Sequence, residues 1–189
     1  MITLEPITYS AGDVQELTGV SAVSQRNWRT RGFLPPLPEG KHYRADVFDM
    51  AMLKITAHLA ERLPVADAVE IAETSARAVA SHALAVHTAW QGLPKTLPET
   101  LSAQSLVQSA LRRRYGDAAR VIPADYLIIW ADGSEVWAGN VNAALEAATF
   151  AQTGGAILLL DLAQIGFDLA TQGRPLMKVR ISQGEEESA

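Results

Sequence analysis

Within seven residues the chain places Gln25, Arg26, Asn27, Arg29 and Arg31. Carboxamide side chains present a donor beside an acceptor, and guanidinium groups present a planar fork of donors. These groups pair with the edges of adenine and guanine in a DNA major groove. Ser21 and Ser24 precede them, and a second basic group, Lys41, His42, Tyr43 and Arg44, follows a Pro-rich stretch. Cations and hydroxyls so placed hold phosphate oxygens, which set register without reading sequence. DNA contact is therefore expected from Ser21, Ser24, Gln25, Arg26, Asn27, Arg29, Arg31, Lys41, His42, Tyr43 and Arg44. Gln25, Asn27 and Arg29 are the expected base readers. Ser21, Arg26, Arg31, Lys41, His42 and Arg44 fall to phosphates. The competing expectation is an ordinary solvated helix face.

The flanking sequence supplies elements to position these groups. Ser10 is a good helix N-cap, with Asp13 in the first turn. Ala11, Val14 and Leu17 form the inward stripe of a first helix, and Gly19 suits the left-handed turn after it. Ser21 caps a second helix, expected to turn Val23 and Trp28 inward. Gly32 ends it, and Pro35-Pro36 prevents its resumption. Residues 33–44 read as a hairpin wing with Glu39-Gly40 at its tip. A third helix opens at Asp46 and runs to about Arg62, with Val47, Met50, Leu53, Ile55 and Leu59 as apolar positions. The order is helix, turn, helix and basic wing, the arrangement that sets one helix in the major groove.

The first 75 or so residues resemble the winged helix-turn-helix domain of MerR-type transcription regulators. The resemblance rests on Tyr9-Ser10-Ala11-Gly12-Asp13-Val14 leading into the first helix, the Gly19-Val20-Ser21 turn, and Arg26 two residues before Trp28. It continues through Gly32-Phe33-Leu34 and the Tyr43-Arg44 pair closing the wing. A two-helix unit follows, over Asp46 to Arg62 and Pro64 to Glu73, and then a long helix. The chain departs from the pattern at Arg29, where the family often has an acid, and at Asp46, where it usually has an aromatic. The resemblance implies a homodimer that binds and distorts promoter DNA at a near-palindromic site. It leaves activation or repression undetermined.

From Pro64 to Trp90 neither glycine nor proline interrupts the chain. Val65, Val69, Ala72, Ala76, Val79, Ala83, Val86 and Trp90 recur at alternating steps of four and three, a heptad seam suited to helix-on-helix packing. The expectation is a dimerisation helix over 75–92, or from 64 if Thr74-Ser75 marks no break; the alternative is a helix packed on its own core. Gly92-Leu93-Pro94 and Pro98 read as a linker. Beyond it, Leu101 to Tyr115 reads as a helix ending in Arg112-Arg113-Arg114. Tyr126 to Trp130 and Glu135 to Trp137 read as strands joined through Asp132-Gly133, a strong hairpin signal. Asn142 to Gln152 and Asp161 to Gln172 read as helices, Ala156 to Leu160 as a strand or helix start, and Leu176 to Ile181 as a strand. The expected fold is mostly α. A winged helix-turn-helix head occupies 1–74, and after the long helix comes a small α+β C-terminal domain with a β-hairpin over 93–182. An acidic disordered tail covers 183–189.

The chain has 189 residues, of which 48% are hydrophobic, enough to bury a core. There is no cysteine, which excludes disulfides, thiolate metal sites and the cysteine-based sensing of MerR-type metal regulators. His82 and His87 are five apart and miss the spacing that aligns two ligands on one helix face. No metal, cofactor or catalytic residue is therefore expected, and the protein is not expected to be an enzyme. No apolar run is long enough to span a bilayer and no secretion signal is visible, so the expected location is cytoplasmic, away from membrane. The net charge of −5 is not distributed evenly: Arg26, Arg29, Arg31, Lys41 and Arg44 face only Glu39 between positions 26 and 44. DNA responds to that local patch within about a Debye length, 8–10 Å. The expected function is a sequence-specific DNA-binding transcription regulator, with double-stranded DNA and a second copy as partners and a small-molecule or protein effector at the C-terminal domain. The alternatives are a phage or mobile-element architectural, excisionase-like factor and a protein-interaction module.

Overall fold

The computed structural model describes residues 2–37, 42–94, 96, 102–116 and 124–181. It is a mixed α+β structure in which helices predominate. Among the described residues there are eight α-helices and three small sheets.

Strand β1 (Ile2–Pro6) leads to the two-residue strand β2 (Tyr9–Ser10), which runs directly into α1 (Ala11–Thr18). Ser10 caps α1 through a reciprocal box with Asp13. Gly19 ends the helix at φ 77°, a left-handed conformation that costs glycine nothing. Helix α2 (Ala22–Thr30) follows, capped by Ser21. Strand β3 (Arg44–Ala45) pairs antiparallel with β2, Ser10 opposite Arg44. The expected wing hairpin is corrected here. Residues 33–37, 42 and 43 lie in no strand, and the one strand at its end pairs with the lead into α1. Its tip, Glu39-Gly40, and Lys41 lie outside the described residues.

Asp46 caps α3 (Val47–Ala60), and Pro64 precedes α4 (Val65–Ala85). These two helices, with α8 (Leu162–Ala170), form the centre of the fold. Met50, Leu53, Ile55, Leu59, Leu84, Leu162 and Leu169 are fully buried there, each worth about 1.5–3 kcal/mol relative to exposure. Gly166 lets α8 meet α4 at backbone distance: a Cβ at that position would sit 2.6 Å from the Val79 carbonyl oxygen.

The long helix is present, but its seam is not free for a partner. Val69, Ala72, Ala76, Val79 and Ala83 are buried within the chain. Helices α3, α8 and α5 (Ala103–Tyr115) pack on α4. Small residues at heptad spacing allow close approach to any helix, and here the approach is intramolecular. The seam also stops early. Val86 turns extended, a 3₁₀ turn covers His87–Ala89, and Trp90–Gln91 form strand β4. Trp90 Nε1 donates to the Leu84 carbonyl at 2.7 Å, meeting one of the acceptors a helix end leaves open.

The hairpin forms as expected, with β5 (Tyr126–Ile129) and β6 (Glu135–Ala138) joined across Gly133. The helix expected over 142–152 is instead two, α6 (Val141–Ala147) and α7 (Phe150–Thr153), each capped separately, by Asn140 and Thr149. Strand β7 (Leu158–Asp161) pairs with β5, giving the order β6-β5-β7. Strand β8 (Met177–Ile181) then pairs antiparallel with β1 and parallel with β4. The two ends of the described chain thus share a sheet, although head and C-terminal region are far apart in sequence. Pro98, Ser182 and the expected tail, 183–189, lie outside the described residues.

Candidate nucleic-acid interface

Two glutamines lock α1 to α2. Gln15 Oε1 accepts from the Ala22 backbone N–H at 3.0 Å, supplying an acceptor to the first turn of α2. In return Gln25 Nε2 donates to the Val20 carbonyl at 2.8 Å and the Ala11 carbonyl at 3.3 Å. Ser21 Oγ accepts from Ser24 N at 3.0 Å and lies 2.9 Å from Ser24 Oγ. The Ser21 hydroxyl therefore caps α2, and the Ser24 hydroxyl is engaged by it.

This lock corrects the expected face of α2. Gln25 is 1% exposed and does not share the solvent face. Val23, expected inward, is 65% exposed. At about 100° per residue the side of the helix opposite Gln25 carries Val23, Arg26, Asn27 and Thr30, and all four are exposed. Trp28 is half-buried and packs against the core, as expected of it.

Arg29 also departs from its expected role. Its Nη1 donates to the Gln25 carbonyl at 3.1 Å, and its guanidinium lies 3.6 Å above the Tyr43 ring. Cation–π contact at that distance pins the arginine between α2 and the segment before β3. Burial pushes the Tyr43 hydroxyl up to about 12, Arg29 working the other way, so the ring is a neutral platform at physiological pH. Arg26, Arg29, His42 and Tyr43 line a common groove of about 470 Å³. Arg44 is exposed and fixed in position by the pairing of its backbone with Ser10. Arg31 and His42 are exposed.

The charge balance around this surface is set from elsewhere. Asp13 and Glu16 on α1 both pair with Arg174, at 2.5 and 2.7 Å. The Ser10 hydroxyl, and after it Arg174, hold the Asp13 carboxyl down at about 2. Asp46 and Asp49, at the start of α3, pair with Arg114 at 3.7 and 2.8 Å. Burial, and then Asp46, raise the Asp49 carboxyl against the pull of Arg114. Four of the head's acids, Asp13, Glu16, Asp46 and Asp49, are thus answered by arginines from the C-terminal half. Arg26, Arg29, Arg31 and Arg44 form no ion pair among the described residues. The Arg112-Arg113-Arg114 run is accounted for in part: besides the Arg114 pairs, Arg113 donates to the Leu4 carbonyl.

Trp130 is buried, and Trp137 Nε1 donates to Ser75 Oγ at 3.0 Å. His82 meets the Ala124 carbonyl at 3.1 Å and Asp125 at 3.4 Å. Asp161 caps α8. No helix among the described residues is long and apolar enough to cross a membrane. No protein-family model, curated protein or solved structure matches the chain.

Proposed function

We propose that the protein is a sequence-specific DNA-binding transcription regulator whose head works as a MerR-like winged helix-turn-helix. One observation carries this reading: Arg26, Arg31, His42 and Arg44 are exposed and these arginines form no ion pair among the described residues, while Asp13, Glu16, Asp46 and Asp49 are paired with Arg174 and Arg114. In the proposed complex α2 enters the major groove with Val23, Arg26 and Asn27 toward the bases. Asn27 pairs with adenine, Arg26 with guanine or phosphate, and Val23 packs on a thymine methyl. Arg31, His42 and Arg44 hold phosphates, and Arg29 with Tyr43 braces the two segments. Lys41 belongs to the same phosphate set in this proposal. A near-palindromic site read by two copies remains part of the proposal, with the copies meeting away from the α4 seam. The protein acts as a regulator and not as an enzyme.

The test is selection of bound duplexes from a random library. The wild type should enrich a defined motif, and Val23→Ala and Asn27→Ala should each change the preferred base at one position of it. Enrichment of no motif, or of the same motif by both variants, would overturn the assignment of α2.

A further inference from the structure

A second cavity of about 470 Å³ lies behind the proposed DNA surface, walled by the Pro-rich segment, α3, α4 and α5. Its size is that of a small-ligand site. Leu34, Phe48, Met52, Leu53 and Ala76 give it an apolar lining. Three guanidinium groups stand on its walls, each over a ring: Arg29 above Tyr43 at 3.6 Å, Arg77 above Tyr115 at 4.8 Å, and Arg114 above Phe48 at 5.8 Å. Cation–π contact holds each guanidinium beside its ring. Burial keeps the Tyr43 and Tyr115 hydroxyls neutral, each pushed up to about 12, so both remain donors.

The charges of the lining favour an anion. Arg29, Arg44, Arg77 and Arg114 stand against Asp49 and Glu73, and Arg114 is paired with Asp49. Among the described residues Arg29 gives one donor to the Gln25 carbonyl and Arg44 has no hydrogen-bond acceptor or ion pair. An apolar lining with guanidinium groups on its walls matches a flat apolar body carrying a single negative group.

We propose that this cavity binds a small amphipathic anion of the aromatic carboxylate class, its ring against Met52, Phe48 and Leu53 and its carboxylate on Arg29 and Arg44. Arg44 is also one of the proposed phosphate contacts, so the ligand competes with phosphate for it and weakens DNA binding. That consequence rests on the function proposed above; the site itself does not.

The test uses the full-length protein without DNA and 1-naphthoate as the probe, followed by calorimetry, with 1-naphthalenemethanol as the neutral counterpart. One saturable site is expected for the acid, with binding about tenfold weaker for the alcohol and for Arg29→Gln, the loss of a charge-assisted contact. Met52→Trp, which fills the cavity, should abolish the site while the unfolding transition is retained. Should that variant fail to fold, Arg29→Gln and the alcohol decide. No saturable binding, equal binding of acid and alcohol, or wild-type affinity in Arg29→Gln would overturn the site. A duplex Kd unchanged with naphthoate bound would overturn the competition alone. Because the site is read without DNA, its failure is distinguishable from failure of the DNA assignment.

Discussion

Gln25→Met separates a structural role from a base-reading one. The substitution keeps the length of the side chain and most of its volume but removes both N–H donors. The carbonyl of Val20, in a residue 4% exposed, then loses its donor at 2.8 Å, and the longer bond to Ala11 goes with it. A neutral hydrogen bond is worth about 1 kcal/mol net, and a buried acceptor left unmet costs about 1–3 kcal/mol. Part of this is offset, because Gln25 Oε1 is buried without a partner among the described residues and methionine removes it. The expected loss is therefore about 1–2 kcal/mol, a fall in Tm of about 2–8 °C for a chain of this size. Thermal and urea unfolding measure it. Duplex selection, run well below the melting temperature, should return the wild-type motif. An unchanged Tm together with an altered motif would refute the reasoning, since it would mean that the amide points outward to the bases and does not lock α1 to α2.

The glycines of two helices should respond oppositely. Gly166→Ala sets a methyl 2.6 Å from the Val79 oxygen and 2.9 Å from the Ala83 nitrogen and should cost about 1–3 kcal/mol by overpacking. Gly12→Ala meets nothing nearer than Ser10 Oγ at 3.9 Å and should gain about 0.5–1 kcal/mol in its helix; equal melting temperatures for the two would contradict the α4–α8 packing. Asp13 titrates at about 2 in the fold against an ordinary 3.8. Its contribution is present above about pH 4 and lost as pH falls toward 2, so Asp13→Asn should lower Tm more at pH 6 than at pH 2. A constant difference would exclude the contacts of the charged carboxylate with Ser10 and Arg174. A double-mutant cycle on Trp137→Phe and Ser75→Ala should give a coupling of about 0.5–1.5 kcal/mol, and strict additivity would show that the indole–hydroxyl bond does not form.

Local signals carried most of the element boundaries. Ser10, Ser21, Asp46 and Asp161 all cap the helices their residue types announce, and Asp132-Gly133 makes the hairpin turn. The orientation of α2 was misread, since Val23 and Trp28 cannot both turn inward. Five residues on a helix are about 140° apart, whereas Gln25 and Trp28 are about 60° apart. Gln25 is the more natural inward partner, despite its polarity, because two backbone carbonyls receive it. Long-range matters were not legible. A heptad seam specifies close helix packing but not whether the partner is another copy or α3, α5 and α8. Nothing local told that Arg114 and Arg174 would neutralise the acids of a head more than sixty residues away, nor that Ile2–Pro6 would form a strand against Met177–Ile181. The cavity behind α2 is assembled from four separate stretches of chain, so no motif announces it.

The central claim is that arginines at the end of α2 and in β3, with no ion pair among the described residues, meet a duplex. Its most direct measurement is the affinity of the full-length protein for labelled genomic duplex fragments across a range of salt, for wild type and for Arg31→Ala with Arg44→Ala. The wild type should bind at low salt and weaken steeply, and the double variant should lower the slope of log affinity against log salt by about 2, one for each phosphate contact removed. No binding at low salt, or the same slope in both proteins, would contradict the account.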